Sequence, residues 1–383
     1  MSVLKKSFWA PLKTMGSSGL FLILFTVIAL IWANSPYAAV YQNLSKSWSF
    51  VINEGLMSFF LLLVGLEIKR EMGRGGELHT FRKALLPIVA AFFGMLFPAL
   101  IFLLINRHYP ANYSAWAIPT ATDIAFALGV MRLFGKKIPK NLFLLLAAIA
   151  IADDIGAVII ISVFYTQDLA FLYVFLSAIC WVLLIFLNRC RLNNIGIYLL
   201  LGFFLWFFLS KSGIHASIAG VLLAFTIPLD HKPGERALLE KLERGLTYPV
   251  NYGVIPLFII LNAGIAFQNL GPISISGSFF LSMISKPIVL GVMLGLALGK
   301  PLGISLSIFV LNRLRWAVLP QGVLWREVVL MACLAGIGFT MAIFIADLAF
   351  SSDSMKDLAK AGILMGSILS ILGGILSLFF WRK

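Results

Sequence analysis

The chain has 383 residues, 61% of them hydrophobic and only 12% charged, with a mean hydropathy of +0.99. Soluble domains are about a quarter charged and about half apolar, so a water-soluble enzyme is excluded, as are a disordered chain and a porin-type barrel with its polar lumen. What remains is an all-α polytopic membrane protein, whose formal charge of +14 has to be explained by where its cations lie.

A helix crossing a hydrocarbon core of about 30 Å needs about 20 apolar residues. In chain order the apolar runs predict 12 transmembrane helices, at 16–33, 51–68, 84–105, 114–134, 141–165, 169–187, 194–210, 213–228, 248–267, 281–311, 326–349 and 358–380. Trp32, Trp48, Trp116, Trp325 and Trp381 stand near run ends, the depth at which tryptophan anchors at the interface. An even count puts both termini on one side. Of the 30 Lys and Arg residues, 23 fall on that side, from Lys5 and Lys6 through to Arg382 and Lys383. Six fall opposite: Lys46, Arg107, Lys211, Lys286, Lys356 and Lys360. Lys300 belongs to neither set. Positive charge stays cytoplasmic, so both termini are expected inside. The basic excess is then an orientation signal, and nucleic acid drops out as a partner.

The first run, followed by Ala33-Asn34-Ser35, has the outline of a signal peptide, but its removal would spoil the charge alternation. Cys180, Cys190 and Cys333 lack metal-ligand spacing and read as small apolar fillers. The connector 229–247 puts Leu238, Leu239, Leu242 and Leu246 on one stripe, which predicts an amphipathic helix at the membrane surface.

Four charges lie inside apolar runs: Asp123, Asp153 and Asp154 near the middle of theirs, and Lys300 well within the tenth. Each costs about 2.5–3.5 kcal/mol at mid-membrane. One structural ion pair accounts for Lys300 and a single aspartate. The two remaining carboxylates have to bind protons or a cation. Asp153 and Asp154 project about 100° apart on a helix, so one can pair with Lys300 while the other faces a cavity. Burial and mutual repulsion disfavour two charges, so proton exchange is expected near physiological pH. Carboxylate oxygens also suit a small hard cation. A site that holds either ligand exchanges one for the other.

Two of the predicted spans are interrupted. In the fourth, Pro119 and Thr120-Ala121-Thr122-Asp123 break the helix, and Thr122 or Asp123 can cap the half that follows. In the eleventh, Gly336 and Gly338 loosen the backbone, and Thr340 can cap a second half-helix. Matching interruptions in two halves are the pattern of inverted-repeat transporters, with the site at the crossing. Asp123 can offset facing helix N-termini there, and Lys300 facing C-termini. Gly291, Gly295, Gly299 and Gly303 present a smooth face for close helix approach.

These residues carry a resemblance. Phe60–Glu71 (FLLLVGLEIKRE), Trp116–Val130 (WAIPTATDIAFALGV), Ala152–Ala157 (ADDIGA), Lys211–Ala216 (KSGIHA), Asn262-Ala263-Gly264, Gly299–Ser305 (GKPLGIS) and Gly336–Ile345 (GIGFTMAIFI) closely resemble the NhaA family of bacterial sodium/proton antiporters, over nearly the whole chain. The resemblance implies 12 helices with cytoplasmic termini in the bacterial inner membrane, and an inverted repeat whose broken spans 4 and 11 cross at mid-membrane. It divides the chain into a core bundle, 84–165 and 281–380, and an interface bundle, 16–68 and 169–267. It implies Asp153 and Asp154 as carriers of Na+ and protons, Asp123 and Lys300 as dipole compensators, and Thr122 beside the site. Glu67, Glu71 and Glu243 match acids of the family's pH-responsive inner funnel.

Two departures are visible. Residues 34–50 lack the alternating pattern of the family's dimer hairpin, which disfavours a homodimer by that route. Near span 9, Arg244 and Thr247 stand close to positions where members often carry histidine. His215 lies in a matching motif and reads as a packed, hydrogen-bonded residue.

The expected function is electrogenic, pH-regulated exchange of cytoplasmic Na+ or Li+ for external protons by a transporter, not an enzyme. No cofactor is expected beyond the transported ions, and membrane lipid is the surrounding partner. The alternatives are a proton-coupled small-solute transporter and a passive cation channel. An intramembrane aspartyl protease would need its aspartates on separate helices with a Gly-x-Gly-Asp motif, and neither condition holds at Asp153-Asp154.

Overall fold

The computed structural model describes residues 19–73, 81–134, 138–166, 169–190, 192–229, 237–270, 282–317, 319–320 and 322–380. Trp381, the cations at 5, 6, 13, 74, 136, 137, 191, 232, 236, 382 and 383, and the first residues of the run at 16–33 lie outside them. Among the described residues there are helices and turns but no strand.

The helices are α1 (Leu20–Ala33), α2 (Ala38–Phe50), α3 (Met57–Met72), α4 (Phe81–Ile105), α5 (Ile124–Leu133), α6 (Lys140–Phe164), α7 (Phe171–Arg189), α8 (Ile195–Ser212) and α9 (Ile218–Thr226). They continue with α10 (Leu238–Pro249), α11 (Ile255–Asn262), α12 (Pro287–Leu294), α13 (Lys300–Arg313), α14 (Trp325–Ala335), α15 (Phe339–Ala349) and α16 (Asp353–Phe380). Wider π turns at Val51–Leu56, Val250–Val254 and Gly295–Gly299 join α2 to α3, α10 to α11 and α12 to α13. Among the described residues, nine helices are long and apolar enough to cross a membrane, or ten if the bent pair Pro110–Thr120 and Ile124–Leu133 is one span. Large apolar side chains such as Phe171, Val163 and Leu104 stand exposed, as a lipid-facing surface requires.

The structure revises several boundaries. The second helix begins at Ala38, so most of 34–50 is helical and continuous with the apolar run as far as Met72. Hydropathy hides this stretch because Gln42, Asn43, Ser45, Lys46 and Ser49 are polar, yet no glycine or proline interrupts it. The amphipathic helix at 238–249 does not stand apart either. It runs through a π turn into the next span, giving one 25-residue stretch, Leu238–Asn262. Leu238, Leu239 and Leu242 of its stripe are buried, and Leu246 packs beside them. Within 213–228 only Ile218–Thr226 is helical, nine residues or about 14 Å of rise.

The chain divides into two compact units. The first comprises Met1–Gln42, Phe81–Ala157 and Asn262–Lys383; the second comprises Asn43–Thr80 and Val158–Leu261. In the second unit the core joins Leu62 and Leu66 to Leu184, Tyr198, Leu205, Leu223, Ala224 and Leu239. Gly220 lets α9 approach α3: a Cβ there would strike the Ser58 carbonyl and lie 2.7 Å from the Leu62 nitrogen. Local signals set the ends of α8. Asn194 Oδ1 accepts the Gly196 N–H at 2.9 Å, and Gly213 closes the helix at φ 87°, a left-handed conformation that glycine adopts freely.

In the first unit the predicted glycine face is used. Cβ atoms at Gly295 and Gly299 would lie 2.7 Å from Pro119 Cβ and Pro98 Cα respectively, and one at Gly303 would meet the Phe93 carbonyl. The face packs α12 and α13 on α4 and on the 3-10 segment Pro110–Thr120. All three cysteines are free, Cys180 and Cys333 buried and Cys190 exposed.

Candidate functional site

The first unit contains two helix interruptions. At 121–123 the backbone is extended between the 3-10 segment and α5, and the two helices are bent by 50°. At Gly336–Gly338 the chain leaves α14 and enters α15. The two breaks bond to each other. Asp123 N donates to Ile337 O at 2.7 Å, and Thr122 Oγ donates to Ala335 O at 2.8 Å, satisfying a carbonyl at the end of α14.

Asp123 is buried and uses both carboxylate oxygens. Oδ1 accepts the Phe126 N–H at 2.9 Å, the N-cap bond of α5. Oδ2 accepts the Thr340 N–H at 3.2 Å and the Thr340 hydroxyl at 2.5 Å. One side chain therefore closes the first turn of two helices, placing negative charge where two positive dipole ends meet. Thr340 does not cap α15 with its own oxygen. It is the second residue of that helix and turns both donors toward Asp123, because a carboxylate is a stronger acceptor than a hydroxyl.

Asp153 and Asp154 lie near the middle of α6, and Lys300 opens α13 directly after the π turn. Asp123, Asp153, Asp154 and Lys300 are each at most 3% exposed, too buried to be solvated surface charges. Lys300 Nζ donates to Asp153 Oδ2 and to Thr122 Oγ. The Thr122 hydroxyl passes its own hydrogen to Ala335 O, so lysine, threonine and helix-end carbonyl form one directed chain. The neighbouring Asp154 also acts on the Lys300 charge. Asp153 Oδ1 is buried and has no hydrogen-bond partner among the described residues. A buried carboxylate oxygen without a donor is a ready acceptor for a proton or a cation. The structure thus brings together Asp153, Asp154, Lys300 and Thr122, with Asp123 next along the chain.

Glu67, Glu71 and Glu243 lie in the second unit, grouped around Arg70. The guanidinium donates to Glu71 Oε1 (3.1 Å from Nη2) and to Glu243, and Glu67 lies within electrostatic reach of all three. Thr247 Oγ donates to the Glu243 carbonyl at 2.7 Å. His215 is packed in the same unit, Nδ1 at 2.9 Å from Glu54 Oε1 and Nε2 at 3.0 Å from Tyr165 O. Sequence reasoning passed over Glu54. Its signal was available, a carboxylate at the edge of an apolar run with a histidine elsewhere that needs an acceptor. The role of Thr340 as donor to Asp123 left no such signal, because it depends on two segments more than 200 residues apart.

Helices of spanning length, a lipid-compatible surface and a buried carboxylate–lysine centre at two helix breaks define a multi-pass membrane protein with an ionisable site in its interior. The comparisons take this further. The chain belongs to the Na+/H+ antiporter 1 family, whose sequence model matches residues 10–378. It is 45% identical over 375 residues to the Na+/H+ antiporter NhaA of Rhizobium etli, covering 95% of this chain and 93% of that one. With the NhaA antiporter of Aliivibrio salmonicida it shares 42% identity over 386 residues, 99% of this chain and 98% of the other. The solved structure of the sodium proton antiporter MjNhaP1 from Methanocaldococcus jannaschii at pH 8 superposes with a TM-score of 0.54. It covers 97% of this chain and 99% of its own at 15% identity, a likeness of fold.

Proposed function

We propose that this protein exchanges Na+ or Li+ for protons across the bacterial inner membrane, driven by the proton gradient. The observation that carries the reading is the buried centre in the first unit, where Lys300 donates to Asp153 and Thr122 with Asp154 the next residue along the helix. Two carboxylates facing one ammonium leave a negative charge that a proton or a small cation balances. With the site open to the cytoplasm, Asp154 and Asp153 take up Na+ as protons leave, with Thr122 beside them. Asp153 Oδ2 cannot serve the cation while it holds Lys300, so cation binding competes with the ion pair. With the site open to the outside, protons displace the cation. More protons than cations move per cycle, which makes the exchange electrogenic.

The same reading assigns 12 spans with both termini cytoplasmic, supported by the 23-to-6 division of cations. It assigns a transport core at 84–165 and 281–380, with an interface bundle at 16–68 and 169–267. Spans 4 and 11 cross at mid-membrane, where Asp123 and Lys300 offset the dipole ends. Glu67, Glu71 and Glu243 around Arg70 form the pH-responsive group.

The test uses everted membrane vesicles carrying a proton gradient. Added Na+ or Li+ is expected to dissipate the gradient, and Asp154→Asn to abolish that response. A wild-type protein that ignores every monovalent cation would sink the function. An unchanged response in Asp154→Asn would sink the assigned site.

A further inference from the structure

Pro110–Thr120, the segment leading into the first helix break, is an 11-residue 3-10 helix. Runs of that helix longer than three or four residues are uncommon, because its hydrogen bonds have poorer geometry than those of an α-helix. Burial follows a period of three over its first turns, with Asn112 and Ala115 buried between more exposed neighbours, and is continuous from Ala117 onward. Within the segment Asn112, Ala115 and Ile118 share one face at three residues per turn, and all three are buried. In an α-helix the same three residues would drift about 60° per step and no longer share a face. At about 2.0 Å per residue the segment reaches about 5 Å further than an α-helix of equal length.

Both ends of this rod are tied. At its start Asn112 Nδ2 donates to Asn106 Oδ1 at 2.7 Å. Asn106 Nδ2 donates in turn to Phe102 O at 3.0 Å and Pro287 O at 3.1 Å. Asn106 is fully buried, and Gly291 leaves room for it: a Cβ there would lie 2.5 Å from Asn106 Nδ2. The pair links the end of α4, the rod and the start of α12. At the far end Thr122 Oγ and Asp123 N hold the Ala335 and Ile337 carbonyls.

We propose that Asn106 and Asn112 are positioning residues for ion exchange, holding the rod at its extended length so that Thr122 and Asp123 stay in register with Lys300 and Asp153. This rests on the exchange reading of that centre. Without the tie, the poorly bonded 3-10 turns open more readily, and Thr122 is no longer held beside Lys300.

The test measures Na+-dependent proton flux in proteoliposomes and amide hydrogen exchange over 110–120 on the same preparations. Asn112→Leu removes the donor while keeping a side chain branched at Cγ. It is expected to raise the apparent KM for Na+ about fivefold, the factor of one net hydrogen bond, with the maximal rate within about twofold. Amide exchange in the segment should accelerate. Asn112→Gln, which restores an amide donor, should return both readouts most of the way. If Asn112→Leu does not fold, Asn112→Ala serves with the same expectation. An unchanged KM with unchanged protection overturns the proposal, as does a fall in maximal rate alone that Asn112→Gln does not reverse. A wild type without Na+-dependent flux would remove the exchange reading and this role with it. Faster amide exchange in the variants would then mark the tie as purely structural.

Discussion

Replacing Lys300 with methionine removes the one ammonium from the buried centre while keeping a side chain of similar reach. Asp153 is 1% exposed and accepts a hydrogen bond on Oδ2 from Lys300, while Oδ1 has no partner among the described residues. The substitution therefore leaves an uncompensated carboxylate in the interior. Removing one member of a buried pair costs about 3–5 kcal/mol. Removing both charges at once is far milder, since their desolvation is relieved together. Asp153→Asn combined with Lys300→Met should thus lie within about 1 kcal/mol of wild type. The coupling energy across the four proteins is expected to exceed about 2 kcal/mol. Equilibrium unfolding in mixed detergent micelles, followed by tryptophan fluorescence, measures all four. A double variant no more stable than Lys300→Met alone, or strictly additive losses, would refute the argument that this pair is held together by mutual neutralisation.

Further expectations come from other parts of the structure. Asp123→Asn keeps an acceptor for the Phe126 N–H but presents an amide to Thr340, orphaning a donor at the start of α15. The cost is about 2–3 kcal/mol in the same unfolding assay, and wild-type stability would remove the case for a shared cap. Gly220→Ala drives a methyl into the backbone of α3 and should cost about 2 kcal/mol or more. By contrast Gly245→Ala, with nothing within 4 Å and a helical backbone, should gain about 0.5–1 kcal/mol. Equal effects of the two in a thermal-stability comparison would contradict the packing described. Glu243→Gln weakens a pair whose arginine is half-exposed, so stability should stay within about 1 kcal/mol while the pH of half-maximal exchange moves. An unmoved profile would take Glu243 out of the pH response.

What could be read from residues alone follows from costs that are one-dimensional. Apolar runs betray long helices because each must fill about 30 Å of hydrocarbon, and a charge inside such a run is conspicuous wherever its partner lies. Asp123, Asp153, Asp154 and Lys300 stood out for that reason. Asp123 could also be read as an N-cap, because a cap is a contact between residues three apart. The early start of the helix at Ala38 escaped, since hydropathy measures transfer to lipid rather than helix formation. What only the tertiary structure decided is who meets whom. It chose Asp153 over Asp154 as the residue bonded to Lys300, turned Thr340 from a cap into a donor, and drew Pro110–Thr120 into a 3-10 rod. Each of these choices joins segments far apart in the chain or trades poorer local hydrogen bonds for packing. Local propensity cannot register either until the helices are assembled.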